Sequence, residues 1–279
     1  MRLRRIDSEL VRRGLTRSRA QARELIEAGR VRLDGEVVTK PARQMDPAQA
    51  ILLEEEPEDE YVSRGARKLA GALDALGEDA PVVRGRRCLD AGASTGGFTD
   101  VLLRRGAASV VAVDVGYGQL AWRLRQDPRV EVHDRTNVRT LDPASVAPAP
   151  QLVVGDLSFI SLSLVLPALV GAATPDADFL LMVKPQFEIG RERLGHGGVV
   201  RDPAQHVETV EAVADSARGL GLDIHAVEAS PLPGPSGNVE YFLAMRAGHP
   251  APIPVQDLHD RIVDAVNRGP ATDSRKATP

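Results

Sequence analysis

The 279-residue sequence contains a single cysteine, Cys88, and no run of the ~18 apolar residues that a membrane span needs. One cysteine excludes an internal disulfide bond and is typical of a reducing compartment. Without a long apolar run we expect no membrane-spanning helix and no membrane partner. The first ten residues also lack the apolar core of a signal peptide, so we expect a cytoplasmic protein.

Histidine is also scarce, and a strong net charge is absent. The six histidines are scattered and form no cluster with the spacing of metal ligands, so we expect no metal. The net charge is only −4, but residues 1–53 carry +5, the segment EEEPEDE at 54–60 carries −6, and residues 61–279 carry −3. A basic N-terminal segment on an acidic body suggests that one end binds RNA or DNA.

The stretch RRCLDAGASTGGF, from Arg86 to Phe98, has the pattern of a buried strand, a glycine-rich turn and the start of a helix. Glycines let backbone N–H groups approach a ligand, and a helix N-terminus favours negative charge such as a carboxylate. The spacing is not the dinucleotide G-x-G-x-x-G, and no P-loop lysine follows. Asp114 ends the next strand, 22 positions after Gly92, where a carboxylate would hold ribose hydroxyls. Together these features favour S-adenosylmethionine over NAD.

The expected cofactor site follows from these positions. Asp90, Gly92, Ser94 and Gly96 should surround the methionine end, and Asp114 should contact the ribose. Asn137, which follows the third strand, should lie beside the adenine, and Asp156 should also lie close to the cofactor.

The basic N-terminal segment has two helices and a hairpin. Apolar spacing predicts helices over 6–13 and 19–28, the second with Ser18 as its N-cap. Asp34-Gly35, between strands at 31–33 and 36–38, predicts a type I′ turn. The segment LVRRGLTRSRAQARELIEAGRVRLDG resembles the alpha-L RNA-binding motif of a small-subunit ribosomal protein, which implies binding of structured RNA. The candidate RNA-binding residues are Arg4, Arg5, Arg17, Arg19, Arg23, Arg64 and Arg67.

Strands and helices alternate after the charged linker. We predict strands at 109–113, 130–132, 151–155, 179–183, 222–228 and 239–245, and helices at 61–76, 97–105, 117–126, 162–171, 204–219 and 255–267. This alternation predicts an α/β fold with a mostly parallel sheet covered on both faces. We divide the chain into an RNA-binding domain (1–53), a linker (54–61), a catalytic domain (62–246) and a C-terminal extension (247–279) that is partly disordered.

Three further charged residues lie at ends of predicted strands. Asp156 and Lys184 each follow a strand, and Glu240 lies at the start of the last one. Ligands of open parallel sheets bind outside the carboxyl ends of the strands, so these side chains should meet at one edge. A buried lysine–aspartate pair can be purely structural. Two lysines, Lys68 and Lys184, that converge with two acids on one cofactor site favour catalysis instead.

At this point the sequence resembles a known family. Lys68, Asp156, Lys184 and Glu240 match the K-D-K-E tetrad of the FtsJ-like RNA ribose 2′-O-methyltransferases. With the alpha-L segment and the stretches DAGASTGGF, DVGYGQLAW, DLSFISL, VKPQFE and PLPGPSGNVEYF, residues 4–246 resemble the haemolysin-A-like (TlyA) rRNA methyltransferases. The resemblance implies a seven-stranded class I (Rossmann-like) fold with an antiparallel last strand, S-adenosylmethionine, and 2′-O-methylation of cytidine in 16S and 23S ribosomal RNA. We expect a monomer that binds ribosomal subunits.

The residues also bear on the reaction. A ribose 2′-hydroxyl is a very weak acid, so Lys184 is the candidate general base, with Asp156 and Glu240 orienting the two amines. Methylation at pyrimidine C5 needs a cysteine nucleophile, and Cys88 lies before the glycine-rich turn. Methylation of an exocyclic amine usually shows an N-P-P-Y-like run, where this chain has D-L-S-F. A non-catalytic RNA-binding factor and a haemolysin stay open as alternatives.

Overall fold

The computed structural model describes residues 3–16, 18–27, 29–53, 61–195, 197–234 and 236–270. The chain divides into two units, Met1–Glu60 and Tyr61–Pro279. Three sequence predictions lie outside the described residues: Arg17 as an RNA contact, the linker over 54–60, and disorder in 271–279.

The N-terminal unit packs two helices against short strands. Its elements are β1 (Arg4–Arg5), α1 (Ile6–Arg12), α2 (Arg19–Glu27), β2 (Val31–Leu33), β3 (Glu36–Val37), β4 (Gln44–Met45) and β5 (Ile51–Leu53). β1 pairs with β4, and β2 lies between β3 and β5, all antiparallel. The type I′ prediction is confirmed, since Asp34 and Gly35 both have positive φ, 48° and 90°. β4 and β5 were not predicted because two or three residues carry too little alternation to detect.

The second unit is built on one seven-stranded sheet. Its strands are β6 (Arg87–Ala91), β7 (Ser109–Val113), β8 (Val130–His133), β9 (Leu152–Gly155), β10 (Asp178–Val183), β11 (Asp223–Ala229) and β12 (Tyr241–Arg246). They lie in the order β11-β12-β10-β9-β6-β7-β8. β12 runs antiparallel to both neighbours, and the other adjacent pairs are parallel. The predicted mostly parallel sheet with an antiparallel last strand is confirmed.

Helices cover both faces of this sheet. They are α3 (Gly65–Leu76), α4 (Gly97–Arg104), α5 (Trp122–Arg125), α6 (Leu162–Ala172), α7 (Pro185–Glu188), α8 (Pro203–Gly219) and α9 (Val255–Arg268). Successive strand residues point to opposite faces, so Cys88 packs in one apolar core with α3 and α4. Leu89 packs in the other core with α6, α8 and α9. Each face of the sheet therefore has its own buried core.

Two predicted helices are wrong in extent. Instead of 117–126, only α5 is helical, because Gly118 takes a φ of +66° that an α-helix excludes and Asp114 Oδ1 accepts from Gly116 N–H at 2.6 Å to hold a turn. α3 begins at Gly65 rather than at residue 61, because Val62 N–H donates to Asp100 Oδ2 at 2.9 Å. That bond holds the segment before α3 against the neighbouring helix.

The register of the sheet brings three strand ends to one edge. Ala91, the last residue of β6, pairs with Gly155, the last residue of β9. Gly155 in turn pairs with Leu181, near the end of β10. β12 is antiparallel, and its first residue, Tyr241, pairs with Val183 at the end of β10. The residues after β9, after β10 and before β12 therefore lie side by side.

Two features are absent from the described residues. None of their helices is both long and apolar enough to cross a membrane. They also contain no group of three or more His, Cys, Asp or Glu side chains placed to hold a metal ion.

Candidate active site

Lys184 lies at the carboxyl end of β10 and contacts the residues that follow β9. Its Nζ is 2.5 Å from Asp156 Oδ1 and donates to Ser158 Oγ at 2.9 Å. The lysine side chain is only 8% exposed, and the aspartate side chain is 21% exposed. Asp156 and Ser158 thus both hold the amine in place. The sequence did not predict the contact with Ser158.

Lys68 reaches the same edge from the first turn of α3. Its Nζ is 2.5 Å from Glu240 Oε2 and 3.9 Å from Asp156 Oδ2. Gln186 Nε2 lies 3.5 Å from the other oxygen, Glu240 Oε1. The structure therefore brings together all four residues predicted to be catalytic, in a chain of alternating charge that runs from Glu240 through Lys68 and Asp156 to Lys184.

The residue type at these positions is itself informative. The sequence has 35 lysines and arginines, and only four are lysines: Lys40, Lys68, Lys184 and Lys276. Two of the four are buried at this edge. A guanidinium cannot give up its proton in a protein, whereas a lysine amine can. Lysine where the chain otherwise uses arginine is the choice expected of a site that moves a proton, and this composition signal was missed.

Two cavities meet at the charged edge. One, of about 310 Å³, is lined by Arg64, Lys68 and Lys184 together with the glycine-rich turn. The other, of about 440 Å³, is lined by Asp114 and Asn137. Gly92, Ser94, Asp156 and Ser158 line both cavities. Of the predicted methionine-end residues, Gly92 and Ser94 therefore line both cavities, and the predicted ribose contact Asp114 lines the second.

The turn after β6 contains residues with positive φ, Gly92 and Ser94 among them. Gly92 has a φ of +85°, and a Cβ there would lie 3.2 Å from Asp156 O. Ser94 also has a positive φ, 48°, and its N–H donates to Asp114 Oδ2 at 2.8 Å. Gly96, which precedes α4, has a φ of +98°, and a Cβ there would collide with the side chains of Leu120 and Leu124, so local packing also requires glycine at this position.

Asn137 lies where the sequence predicted it, after β8. Its Oδ1 accepts from Arg139 N–H at 3.0 Å and caps a short 3₁₀ turn. This bond fixes the side chain while the amide nitrogen remains a donor, and the residue lines the same cavity as Asp114. The geometry suits a contact with a ring acceptor such as adenine.

Asp90 is fully buried beneath the turn. Its Oδ2 accepts from Thr99 Oγ1 at 2.7 Å, whereas Oδ1 has no hydrogen-bond partner among the described residues. Burial raises the pKa of Asp90 to about 7, and the nearby negative charges of Asp156 and Asp114 add to the shift. A buried acceptor without a donor fits a positively charged ligand group, such as the amino group of S-adenosylmethionine.

A wider groove of about 970 Å³ opens on the other side of Lys184. Phe159 and Phe187 line it with ring centroids 5.2 Å apart, and Arg139 and Arg191 lie along it. Phe159 is 91% exposed and has a φ of +64°, which is costly for a bulky residue. An exposed aromatic with a positive φ that lines the same groove as Lys184 is a candidate for ligand contact. The D-L-S-F run is visible in the sequence, but its pattern alone does not point to this position of Phe159.

The candidate RNA-binding residues have different surroundings. Arg4, Arg19 and Arg23 are exposed on the N-terminal unit, and Arg5 is half-exposed. On the second unit, Arg64 lines the first cavity and donates to Pro233 O at 3.2 Å, and Arg67 is exposed on α3.

Comparisons with known proteins agree with this geometry. Residues 61–247 match the family described as FtsJ-like methyltransferase, and residues 4–51 match the S4 domain. The chain is 57% identical, over 95% of its own length and 98% of the relative's, to the 16S/23S rRNA (cytidine-2′-O)-methyltransferase TlyA of Mycobacterium tuberculosis. The chain belongs to the TlyA group of FtsJ-like methyltransferases.

Other members of the group have more varied names. A 23S rRNA (cytidine-2′-O)-methyltransferase TlyA of Campylobacter jejuni is 34% identical over 65% of this chain and 69% of its own. The solved structure of a hemolysin-named protein of Streptococcus thermophilus is 35% identical and superposes with a TM-score of 0.71, with both chains covered in full (100%). The predicted methyltransferase class, its donor S-adenosylmethionine and the class I fold are confirmed.

Proposed function

We propose that this chain transfers a methyl group from S-adenosylmethionine to the 2′-hydroxyl of cytidines in 16S and 23S ribosomal RNA. The observation that carries the proposal is the position of Lys184, between the cofactor recess and the open groove lined by Phe159. The activity named for the M. tuberculosis relative supports both ribosomal RNAs as substrates.

The residues of the edge divide the work of the reaction. S-adenosylmethionine supplies an activated methyl group on a sulfonium, so the protein has to orient the acceptor and handle its proton. Lys184 Nζ accepts the 2′-hydroxyl proton or holds the hydroxyl, while Asp156 and Ser158 keep the amine in place. Glu240 holds Lys68 in turn, and Lys68 places a second positive charge near Asp156.

The other predicted residues bind the cofactor and the RNA. The cofactor is held by Asp90, Gly92, Ser94, Gly96, Asp114, Asn137 and Asp156. The N-terminal unit binds structured RNA through its arginines, and Arg64 and Arg67 contact phosphates near the site. The enzyme is a cytoplasmic monomer with domains 1–53 and 62–246. Sedimentation of the purified chain tests the oligomeric state.

Transfer of labelled methyl groups to purified, unmethylated 30S and 50S subunits tests the function. Wild type should label the ribose of both RNAs and Lys184→Ala should not. Lys40→Arg, which keeps the charge of a lysine on the N-terminal unit, should label like wild type. Label from Lys184→Ala at the wild-type rate would contradict the assigned base. No label from any protein that still binds S-adenosylmethionine would replace the proposal with a non-catalytic RNA-binding factor.

A further inference from the structure

The first helix of the N-terminal unit contains a fully buried aspartate. Asp7 has no exposed surface, and both of its oxygens accept from arginines. Arg5 donates from Nε to Oδ1 at 3.1 Å and from Nη2 to Oδ2 at 2.9 Å. Arg19, from the start of α2, donates from Nη2 to the same Oδ2 at 2.8 Å. One carboxylate oxygen therefore holds guanidinium groups from two different elements.

A second buried acid on α1, Glu9, has a different set of partners. It accepts from Arg12 Nε at 2.7 Å and from Arg13 Nε at 3.0 Å, and Arg4 Nη1 lies 3.8 Å away. Arg13 also donates to two backbone carbonyls of the loop 47–49. Glu9 and Arg13 thus tie α1 to that loop, which is a role in the fold.

The Asp7 cluster also joins elements of the unit, because it links α1 to β1 through Arg5 and to the start of α2 through Arg19, but it differs from the Glu9 cluster in the exposure of its arginines. Its two arginines are half-exposed, Arg5 at 40% and Arg19 at 53%. A guanidinium carries five N–H donors, and Asp7 takes two from Arg5. The remaining N–H donors of Arg5 belong to a guanidinium whose position is fixed by its two hydrogen bonds to Asp7. The arginines hold the pKa of Asp7 well below its usual range, and the hydrogen bonds from Arg5 contribute most. The carboxylate therefore stays charged, and so does its ion pairing with Arg5 and Arg19, which we call the Asp7 clamp.

The clamp has opposite effects on two properties of the surface. It removes one unit of positive charge from the segment, which weakens long-range attraction to any polyanion. It also fixes two flexible side chains before binding, so less rotamer freedom is lost when a phosphate is bound. Asp7 therefore lowers the positive charge of this surface but fixes the positions of two side chains that can contact a phosphate.

We propose that Asp7 is a positioning residue for RNA recognition, which holds Arg5 and Arg19 as one pre-arranged pair for a phosphate of structured RNA. This inference rests on the proposed RNA-binding function of the N-terminal unit. The arginines supply the contacts, and Asp7 acts through them. The pair should improve binding to a fixed RNA shape far more than binding to a flexible single strand.

The test compares two substitutions that each add one positive charge to the full-length chain. Asp7→Asn removes the clamp, and Glu36→Gln is the matched control, because Glu36 is 76% exposed and pairs with Arg43 at 3.0 Å on the surface of the same unit. We expect Asp7→Asn to bind 50S subunits about tenfold more weakly and poly(C) at least as tightly as wild type. Glu36→Gln should stay within about twofold on both probes.

A second pair of variants avoids any misfolding caused by Asp7→Asn. Arg5→Lys and Arg19→Lys keep the charge and the acid but lack the planar fork. We expect each to weaken binding to 50S subunits about fivefold with an unchanged salt dependence, because the number of neutralised phosphates is kept. Wild-type affinity in the lysine variants and in folded Asp7→Asn would overturn the inference.

The double variant Arg5→Ala/Arg19→Ala separates this inference from the proposed function. If it binds subunits as wild type does, the arginines do not contact RNA, and both the inference and the RNA-binding role of this surface are overturned. If it loses affinity while Asp7→Asn and the lysine variants do not, the arginines bind RNA without positioning by Asp7, and only the inference is overturned.

Discussion

Lys68 and Glu240 form a buried ion pair, with Nζ and Oε2 2.5 Å apart, across 172 positions of the sequence. Their side chains are 7% and 1% exposed. The lysine lies on the first helix of the second unit and the glutamate immediately before its last strand, so the pair joins the two ends of that fold. The same pair contributes two of the four charges at the candidate active site, so under the proposed function stability and catalysis depend on the same two residues.

Removal of one partner should destabilise the protein. Glu240→Ala leaves an amine buried without its main partner, and we expect the free energy of unfolding to fall by about 3 to 5 kcal/mol. Denaturant unfolding followed by circular dichroism measures the change. Glu208→Ala, which breaks the exposed ion pair with Arg193, is the control and should cost at most about 1 kcal/mol.

Replacement of both partners should separate the two roles of the pair. Lys68→Leu with Glu240→Leu removes both buried charges, so we expect unfolding free energy near that of wild type but no methyl transfer. A double variant that recovered neither stability nor activity would show that the pair is required for packing as well as for charge.

Charge alone should not support catalysis at position 184. In Lys184→Arg the positive charge beside Asp156 is kept, but a guanidinium cannot accept and release the proton. We expect single-turnover methyl transfer to fall by about 10²- to 10⁴-fold, the usual contribution of a general base, with S-adenosylmethionine affinity within about threefold of wild type. Lys40→Arg is the matched control. A Lys184→Arg enzyme with near-normal rate would limit the lysine to holding the substrate.

The raised pKa of Asp90 predicts pH-dependent cofactor binding. Below pH about 7 the carboxyl is protonated in the free protein, and a bound amino group beside it would favour the ionised form. We expect the affinity for S-adenosylmethionine to rise by up to about tenfold per pH unit from pH about 5 to 7 and then level off. Calorimetry at several pH values measures this, and Asp90→Asn should flatten the profile. A slope that survives in Asp90→Asn belongs to another group.

The raised pKa of Asp90 gives the stability of the cofactor-free protein the opposite pH dependence. Because the pKa of Asp90 lies above that of an unfolded aspartate, 3.8, its contribution to stability is present below pH about 4 and is lost as the pH rises to about 7. Cofactor binding should offset that loss. Thermal unfolding without and with S-adenosylmethionine should therefore show a difference in melting temperature that widens as the pH rises from about 5 to 7.

Phe159 should act on the RNA substrate more than on stability. The ring is exposed beside Lys184, so Phe159→Ala removes a surface on which a base can stack, and we expect the KM for ribosomal subunits to rise about tenfold. The unfolding free energy should change by less than about 1 kcal/mol, because the ring buries little surface. Val82→Ala, also at an exposed apolar residue, is the control. An unchanged KM would contradict the stacking role.

Local sequence pattern alone was sufficient to predict most strands and helices of the second unit. The apolar runs before Asp156 and Lys184 each formed the predicted strand, because a parallel strand buried on both faces has a recognisable composition. The alternation of strands and helices then implies that polar groups at strand ends meet at one edge. The pattern wrongly predicted a helix over 117–126, because Gly118 has a positive φ that an α-helix excludes.

The sequence by itself determined the fold class and the glycine-rich turn, because short-range pattern carries that information, and it indicated the four charged residues of the candidate site through strand-end positions and the resemblance to the FtsJ-like tetrad. Only the tertiary structure decided which charges pair. It placed Lys68 on Glu240 and Lys184 on Asp156, added Ser158, turned Gly96 toward leucines and buried Asp7 between two arginines. Each of these depends on helix docking or side-chain orientation between residues distant in sequence, and a buried charge is stable only where such partners meet.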